Sequence, residues 1–92
     1  MIKSFRDKDT EKLFNRERVR RFESFADRAR EDLIMLAAAK QLADLGVIAG
    51  FHLEKLKGSR KEEYSMRINK QFRICFVWKN GDAYEVTIED YH

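Results

Sequence analysis

The residues best suited to chemistry lie in the second half of the chain, which closes on Asp90-Tyr91-His92. His92 can exchange a proton near neutral pH, and a terminal carboxylate of its own should favour the charged form. Asp90 can orient that ring, and Tyr91 can stack on a base or donate a hydrogen bond. Upstream, Arg67 and Arg73 are long cations among shorter neighbours, the pair that a bidentate phosphate clamp requires. Lys57 and Arg60 precede them in Lys55-Leu56-Lys57-Gly58-Ser59-Arg60. Lys55, Arg60 and Lys70 add cations suited to gripping a phosphate backbone. Such a set could hold a phosphodiester and move a proton beside it. Plainer explanations exist for each part: charge on an exposed sheet face discourages aggregation, and a terminal histidine commonly frays.

These side chains need elements to aim them. Phe72, Ile74, Phe76 and Trp78 alternate with Arg73, Cys75 and Val77, the period of a half-buried strand. Tyr64, Met66 and Ile68 do the same with Ser65, Arg67 and Asn69, and Tyr84, Val86 and Ile88 with Ala83, Glu85 and Thr87. Asn80-Gly81 predicts a type I′ hairpin, because both central positions need positive φ. Leu53 and Leu56 flank charged residues in a short edge strand or turn. The result is an antiparallel meander with one apolar face, and period-2 geometry sends Arg67 and Arg73 to the other face, open to solvent.

The first half reads as helix. Ile2-Lys3-Ser4-Phe5 alternates like a short strand, and Asp7, Asp9 and Thr10 offer N-cap oxygens to a helix carrying Leu13 and Phe14. Arg16, Arg18, Arg20 and Arg21 crowd its end, where cations suit the helix dipole and could also meet phosphate. A second helix is expected over 24–45. Phe22, Ala26, Ala29, Leu33 and Leu36 form one stripe and Ile34, Ala38, Leu42 and Leu45 another, which implies contact on more than one side. Gly46 stands where it would end. The expected architecture is α+β: two N-terminal helices on one face of a small, mostly antiparallel sheet, in a single domain spanning 1–92.

Composition bounds the function. Ninety-two residues with 43% hydrophobic content make one core, and the absence of proline argues against a disordered linker. Cys75 is the only cysteine, which excludes an internal disulfide and multi-cysteine zinc sites and fits a reducing cytoplasm. The longest apolar stretch, residues 33–39, is too short to span a bilayer, so no membrane role is expected. The net charge of +3 is unevenly placed. Residues 1–22 carry eight basic and four acidic side chains, residues 23–52 three and five, residues 53–79 eight and three, and residues 80–92 none and four. A basic segment beside an acidic one gives an oriented field suited to docking a polyanion.

Together, the Ile2-Lys3-Ser4-Phe5 opening, Leu56-Lys57-Gly58-x-Arg60, Phe72-Arg73-Ile74-x-Phe76 and the closing Asp90-Tyr91-His92 resemble the HigB toxins of the RelE/ParE superfamily. The order, spacing and total length agree, so the resemblance covers essentially the whole chain. It implies a RelE-like fold and a ribosome-dependent mRNA endonuclease acting in the A site of the 70S ribosome. It also implies a HigA antitoxin that neutralises the toxin and represses transcription with it. Carried over by position, the family's active-site group falls on Lys57, Arg67, Arg73, Asp90, Tyr91 and His92. The chain departs from the family at Glu54-Lys55, where members often have histidine followed by proline. His52 lies two positions away on the same strand parity. Either Glu54 takes over some of that histidine's role, or the work rests more heavily on His92.

The implied reaction is attack of the 2′-hydroxyl on the adjacent phosphate, without a metal or other cofactor. No His/Cys/Asp/Glu cluster in the sequence has recognisable ligand spacing. Lys57, Arg67 and Arg73 would stabilise the pentavalent phosphate, and the terminal group would transfer protons. Two other classes compete. ParE-type toxins share the fold but poison DNA gyrase and have no need of a terminal histidine. A non-catalytic basic module would bind RNA or the ribosome alone.

Overall fold

The structure, a computed structural model, describes residues 1–90. Two expected catalytic residues, Tyr91 and His92, lie outside the described residues. The first helix, α1 (Lys8–Phe14), starts where the sequence marks it. Asp7 is extended, and its carboxylate accepts a hydrogen bond from the Thr10 amide at 3.0 Å, satisfying one of the amides that a helix start leaves unpaired. Leu13 points into the core, and Arg16, at φ 66°, turns the chain away after the helix.

The continuous second helix expected over 24–45 is broken in two. A 3₁₀ turn, Arg20–Phe25, leads into α2 (Ala26–Ala38), and α3 (Leu42–Gly46) follows a sharp break. At that break Ala39 and Gln41 are extended, with ψ of 137° and 150°. Asp44 compensates for the lost ladder by accepting from the Lys40 amide at 3.0 Å and the Gln41 amide at 3.1 Å. The two apolar stripes therefore have different fates. Phe22, Ala29, Leu33 and Leu36 are fully buried. In the other stripe Leu45 is buried only because α3 changes direction, while Ile34 is 46% exposed and its neighbour Met35 41%.

The sheet is an antiparallel meander in the order β1 (Glu54–Lys55), β2 (Glu63–Arg67), β3 (Phe72–Lys79), β4 (Asp82–Asp90). Asn80 and Gly81, at φ 50° and 80°, form the expected tight hairpin between β3 and β4. The opening residues add a parallel neighbour on the far side of β4, through bridges Ile2–Ala83 and Phe5–Val86. Its bonds include Lys3 N to Ala83 O at 2.7 Å and Arg6 N to Val86 O at 2.9 Å. Farther along, the Ile88 amide donates to the Thr10 hydroxyl at 3.0 Å, and the Thr87 hydroxyl donates to Asp7 at 2.9 Å. The start of α1 thus closes the rest of the β4 edge, which would otherwise present unpaired backbone groups.

Strict alternation fails in β4. Cys75 faces Thr87 and Val77 faces Tyr84, so β4 spends one more residue than β3 over that interval. The bulge has Glu85 at φ 53°. It puts Ala83 rather than Tyr84 on the buried side, where Ala83 is fully enclosed and Tyr84 only partly. Ser4 Oγ accepts from the displaced Glu85 amide at 2.9 Å.

Met66, Ile74, Phe76, Val86 and Ile88 line the apolar face and meet Leu13, Phe22, Leu33 and Leu36 from the helices. Full burial of each such side chain is worth roughly 1.5–3 kcal/mol. Phe25 stacks on Phe72 at 4.6 Å, fastening the 3₁₀ turn to the start of β3. The expected α+β architecture holds, with α3 as a short third helix. Among the described residues, no helix is long and apolar enough to cross a membrane.

Candidate functional site

Cross-strand partners share a face, so strand register sorts the polar side of the sheet into three rows. Glu63 and Val77 form the first row with Tyr84, Ser65 and Cys75 the second with Thr87, and Arg67 and Arg73 the third with Glu89. The expected pair Arg67 and Arg73 are therefore direct neighbours at one end of the sheet.

This face is not the open surface that alternation alone predicts. Ser65, Cys75 and Thr87 are buried, Arg67 is half-buried, and the Arg73 side chain is 15% exposed. Two segments cover it. From one side comes the 3₁₀ turn Gly58–Arg60, which begins after β1 and lets Arg60 reach back over the sheet. From the other comes Arg6, at the end of the segment paired with β4. Gly58, at φ 70°, supplies the left-handed turn that this path requires.

The covering layer is an ion cluster. Arg60 donates from Nε and Nη2 to Glu63 at 3.1 and 2.8 Å, and from Nη1 and Nη2 to Glu89 at 2.8 and 2.6 Å. Arg6 lies 3.2 Å from Glu63 and 3.5 Å from Glu89. Arg73 Nη2 stands 4.0 Å from Glu89 Oε1, an ionic rather than a hydrogen-bonding distance. The hydrogen bonds from Arg60, with Arg6 nearby, hold the Glu63 carboxyl below the usual carboxylate range. Beneath the cluster, burial pushes the Cys75 thiol up to about 11. It stays protonated at neutral pH and is no nucleophile.

The remaining sequence candidates distribute unevenly. Lys57 is exposed and opens the turn that carries Arg60; the neighbouring Leu56 amide bonds to Glu63, four residues along β2 from Arg67. Lys70 is exposed in the β2–β3 turn, which Asn69 closes by accepting from the Gln71 and Phe72 amides, each at 2.8 Å. Lys70 thus sits at the sheet end that bears Arg67 and Arg73. Asp90 reaches that sheet end from the helix-side face, where it pairs with Phe72, and accepts from Gln71 Nε2 at 3.2 Å. Lys55 goes elsewhere. It pairs with Tyr64 on the helix-side face, with Nζ 6.0 Å from the ring centre. Glu54 faces Ser65 and so belongs to the polar face. His52 is not on strand parity with it: at φ 44°, it ends a 3₁₀ turn before β1 begins.

Sequence reasoning missed Arg6, Glu63 and Glu89 as members of the site. Glu89 carried a signal, since strand parity puts it opposite Arg73; Arg6 carried none, because its place depends on pairing with a strand far along the chain. Among the described residues, no three His, Cys, Asp or Glu side chains converge as metal ligands. The arrangement can present guanidinium groups to a phosphate at one sheet end, over a floor whose charges are already paired.

Comparison with known proteins bears on what that arrangement serves. A family model described as the RelE-like toxin of the type II toxin–antitoxin system HigB matches residues 3–92. The endoribonuclease HigB of Proteus vulgaris is 33% identical over 93 residues, covering 100% of both chains. Toxin HigB-1 of Vibrio cholerae serotype O1 is 33% identical over 85 residues, covering 90% of each.

Proposed function

The chain belongs to the RelE-like HigB toxins of type II toxin–antitoxin systems, and from that premise we propose that it is a ribosome-dependent mRNA endonuclease of the cytoplasm. It cuts message in the A site, and an antitoxin of the HigA kind restrains it. The observation that carries the reading is the adjacency of Arg67 and Arg73 on the polar face, with Lys70 and Asp90 at the same sheet end. A relative named an endoribonuclease, matching over its full length, supports it.

In this mechanism the 2′-hydroxyl attacks the adjacent phosphorus without a metal, and the bond to the leaving 5′-oxygen breaks. Arg67 and Arg73 bind the phosphoryl oxygens more tightly as charge grows on them, and removal of one such donor costs about 10²–10³-fold in rate. Lys57, on the exposed turn beside Glu63, is assigned to the same phosphate on the resemblance. Asp90 with Tyr91 and His92 handles the protons and positions a base, which contributes ~10²–10⁴-fold. Lys70 contacts message or ribosomal phosphate. Lys55, on the other face, serves better as a peripheral contact. The ribosome holds the message in line for attack, an orientation worth about 7–11 kcal/mol at best, so free RNA is a poor substrate.

Mapping RNA 5′ ends after a brief pulse of expression tests this directly. New ends phased to codons are expected, and Arg73→Ala should fold normally yet remove both the ends and growth arrest. Growth arrest by Arg73→Ala, or loss of DNA supercoiling activity without new RNA ends, would overturn the nuclease reading.

A further inference from the structure

Glu89 poses an electrostatic problem. Resting on the nuclease reading, its carboxylate stands in the same row as two arginines that are to receive a polyanion. A negative charge there weakens phosphate binding, since affinity for nucleic acid tracks the cations presented to it. Yet the carboxylate is held in place by more contacts than any one of them needs. It accepts two hydrogen bonds from Arg60 and lies 3.5 Å from Arg6, and the Oε1 that accepts from Arg60 Nη1 also stands 4.0 Å from Arg73 Nη2. The Glu89 side chain is only 24% exposed, so water replaces little of this.

Arg60 is committed to the same arrangement. Its four hydrogen bonds all go to Glu63 and Glu89, which bind it as a fork on both sides. A guanidinium so engaged has little left to offer a phosphate, although the sequence placed it among the RNA contacts. What it can do is fix the Glu89 carboxylate rigidly. A fixed carboxylate in turn limits where the Arg73 side chain can go, and a long arginine gains most from such a limit, because it otherwise loses side-chain freedom on meeting its substrate.

We propose that Glu89, held by Arg60 and Arg6, is a positioning residue for Arg73: it sets the guanidinium where the transition-state phosphate will be, at some expense in ground-state affinity for RNA. Arg60 then acts through Glu89 rather than on the message. The idea separates itself from a purely repulsive role. If Glu89 only repelled RNA, neutralising it would raise activity.

The test is single-turnover cleavage of message on 70S ribosomes by the purified full chain, comparing Glu89→Gln, Arg73→Ala and the double variant. Glu89→Gln should lower the cleavage step about tenfold while apparent affinity for the programmed ribosome holds or improves. In the Arg73→Ala background the same substitution should change the residual rate less than twofold, as expected of two residues acting as one unit. Cys75, enclosed beneath the cluster, reports whether the face stays closed, through its reactivity with a thiol reagent. Should Glu89→Gln expose it, Glu89→Asp replaces that variant, keeping the charge but shortening the reach, with a smaller loss of rate expected in the Arg73 background alone. Unchanged or faster cleavage, or an equal loss in both backgrounds, overturns the proposal. Absence of ribosome-dependent cleavage by the unaltered chain instead sinks the nuclease reading on which it rests.

Discussion

Glu63 on the sheet and Asp32 on α2 are both buried carboxylates, at 9% and 3% exposure, and they respond to burial in opposite ways. Glu63 receives two hydrogen bonds from Arg60 and has Arg6 at 3.2 Å; its carboxyl titrates below the usual range. Among the described residues, Asp32 forms an ion pair with Arg28, 3.3 Å from an Oδ2 that makes no hydrogen bond. Burial therefore outweighs the arginine and raises its carboxyl to about 6. A nearby opposite charge alone does not make burial tolerable; properly directed hydrogen bonds do. The polar sheet face is a satisfied network, whereas the Arg28–Asp32 pair is a weak point in the helical layer.

The largest expected effect comes from breaking the satisfied side. Arg60→Met leaves Glu63 and Glu89 with Arg6 as their shared cation and Arg73 4.0 Å from Glu89. Removing one partner of a buried pair costs about 3–5 kcal/mol, and partial exposure of Glu89 should reduce this to about 2–3 kcal/mol. Urea unfolding measures it, and a loss below about 0.5 kcal/mol, typical of a surface change, would mean that the network adds nothing.

On the other side the sign reverses. Asp32→Asn should stabilise the fold above pH 6 by about 1–3 kcal/mol, since each tenfold weakening of proton release in the folded chain corresponds to ~1.4 kcal/mol. The pH dependence follows from linkage. Between pH 3.8, the ordinary value, and about 6 the folded chain keeps a proton that the unfolded chain has released. Stability from this group is thus complete below 3.8 and is lost as pH rises through 6. Glu63 has the opposite slope, contributing above its ordinary 4.5 and losing that contribution as pH falls through its lowered value. The Asp32→Asn curve should therefore part from the parent only as pH climbs through this interval; curves that stay parallel from pH 4 to 7 would remove the contrast.

The smallest effect probes the seam between the two regions. Gly81, at φ 80°, lies at the hairpin tip, and a Cβ there would stand 3.2 Å from the Lys40 carbonyl oxygen in the α2–α3 break. Gly81→Ala should cost about 1–2 kcal/mol through backbone strain and this close approach, read as a lowered thermal midpoint with no change in Cys75 reactivity.

Local signals made much of this legible. Asp7 caps its own helix three residues on, and Asn80-Gly81 turns the chain with its own backbone, so adjacent residues suffice to show both. The break after α2 was hidden because 26–38 and 42–46 are both good helix sequence; Asp44 caps the second only once Ala39 has left helical geometry. The β4 bulge was hidden because Tyr84 is as apolar as the residue that strict alternation asks for. At the site, Arg67 and Arg73 were found by parity. The burial of their face was not, because Arg60 meets Glu89 across 29 residues and Arg6 arrives from the opposite end of the chain.

The pairing of residues 2–5 with β4 has a consequence for the order in which the protein folds. Ser4 and Glu85 are 81 positions apart and bonded to each other. Contacts of such separation form late, after the helices and the β2–β3 hairpin can already have assembled. Because the same closure delivers Arg6 to Glu63 and Glu89, the ion cluster over the polar sheet face is completed only when this late contact forms.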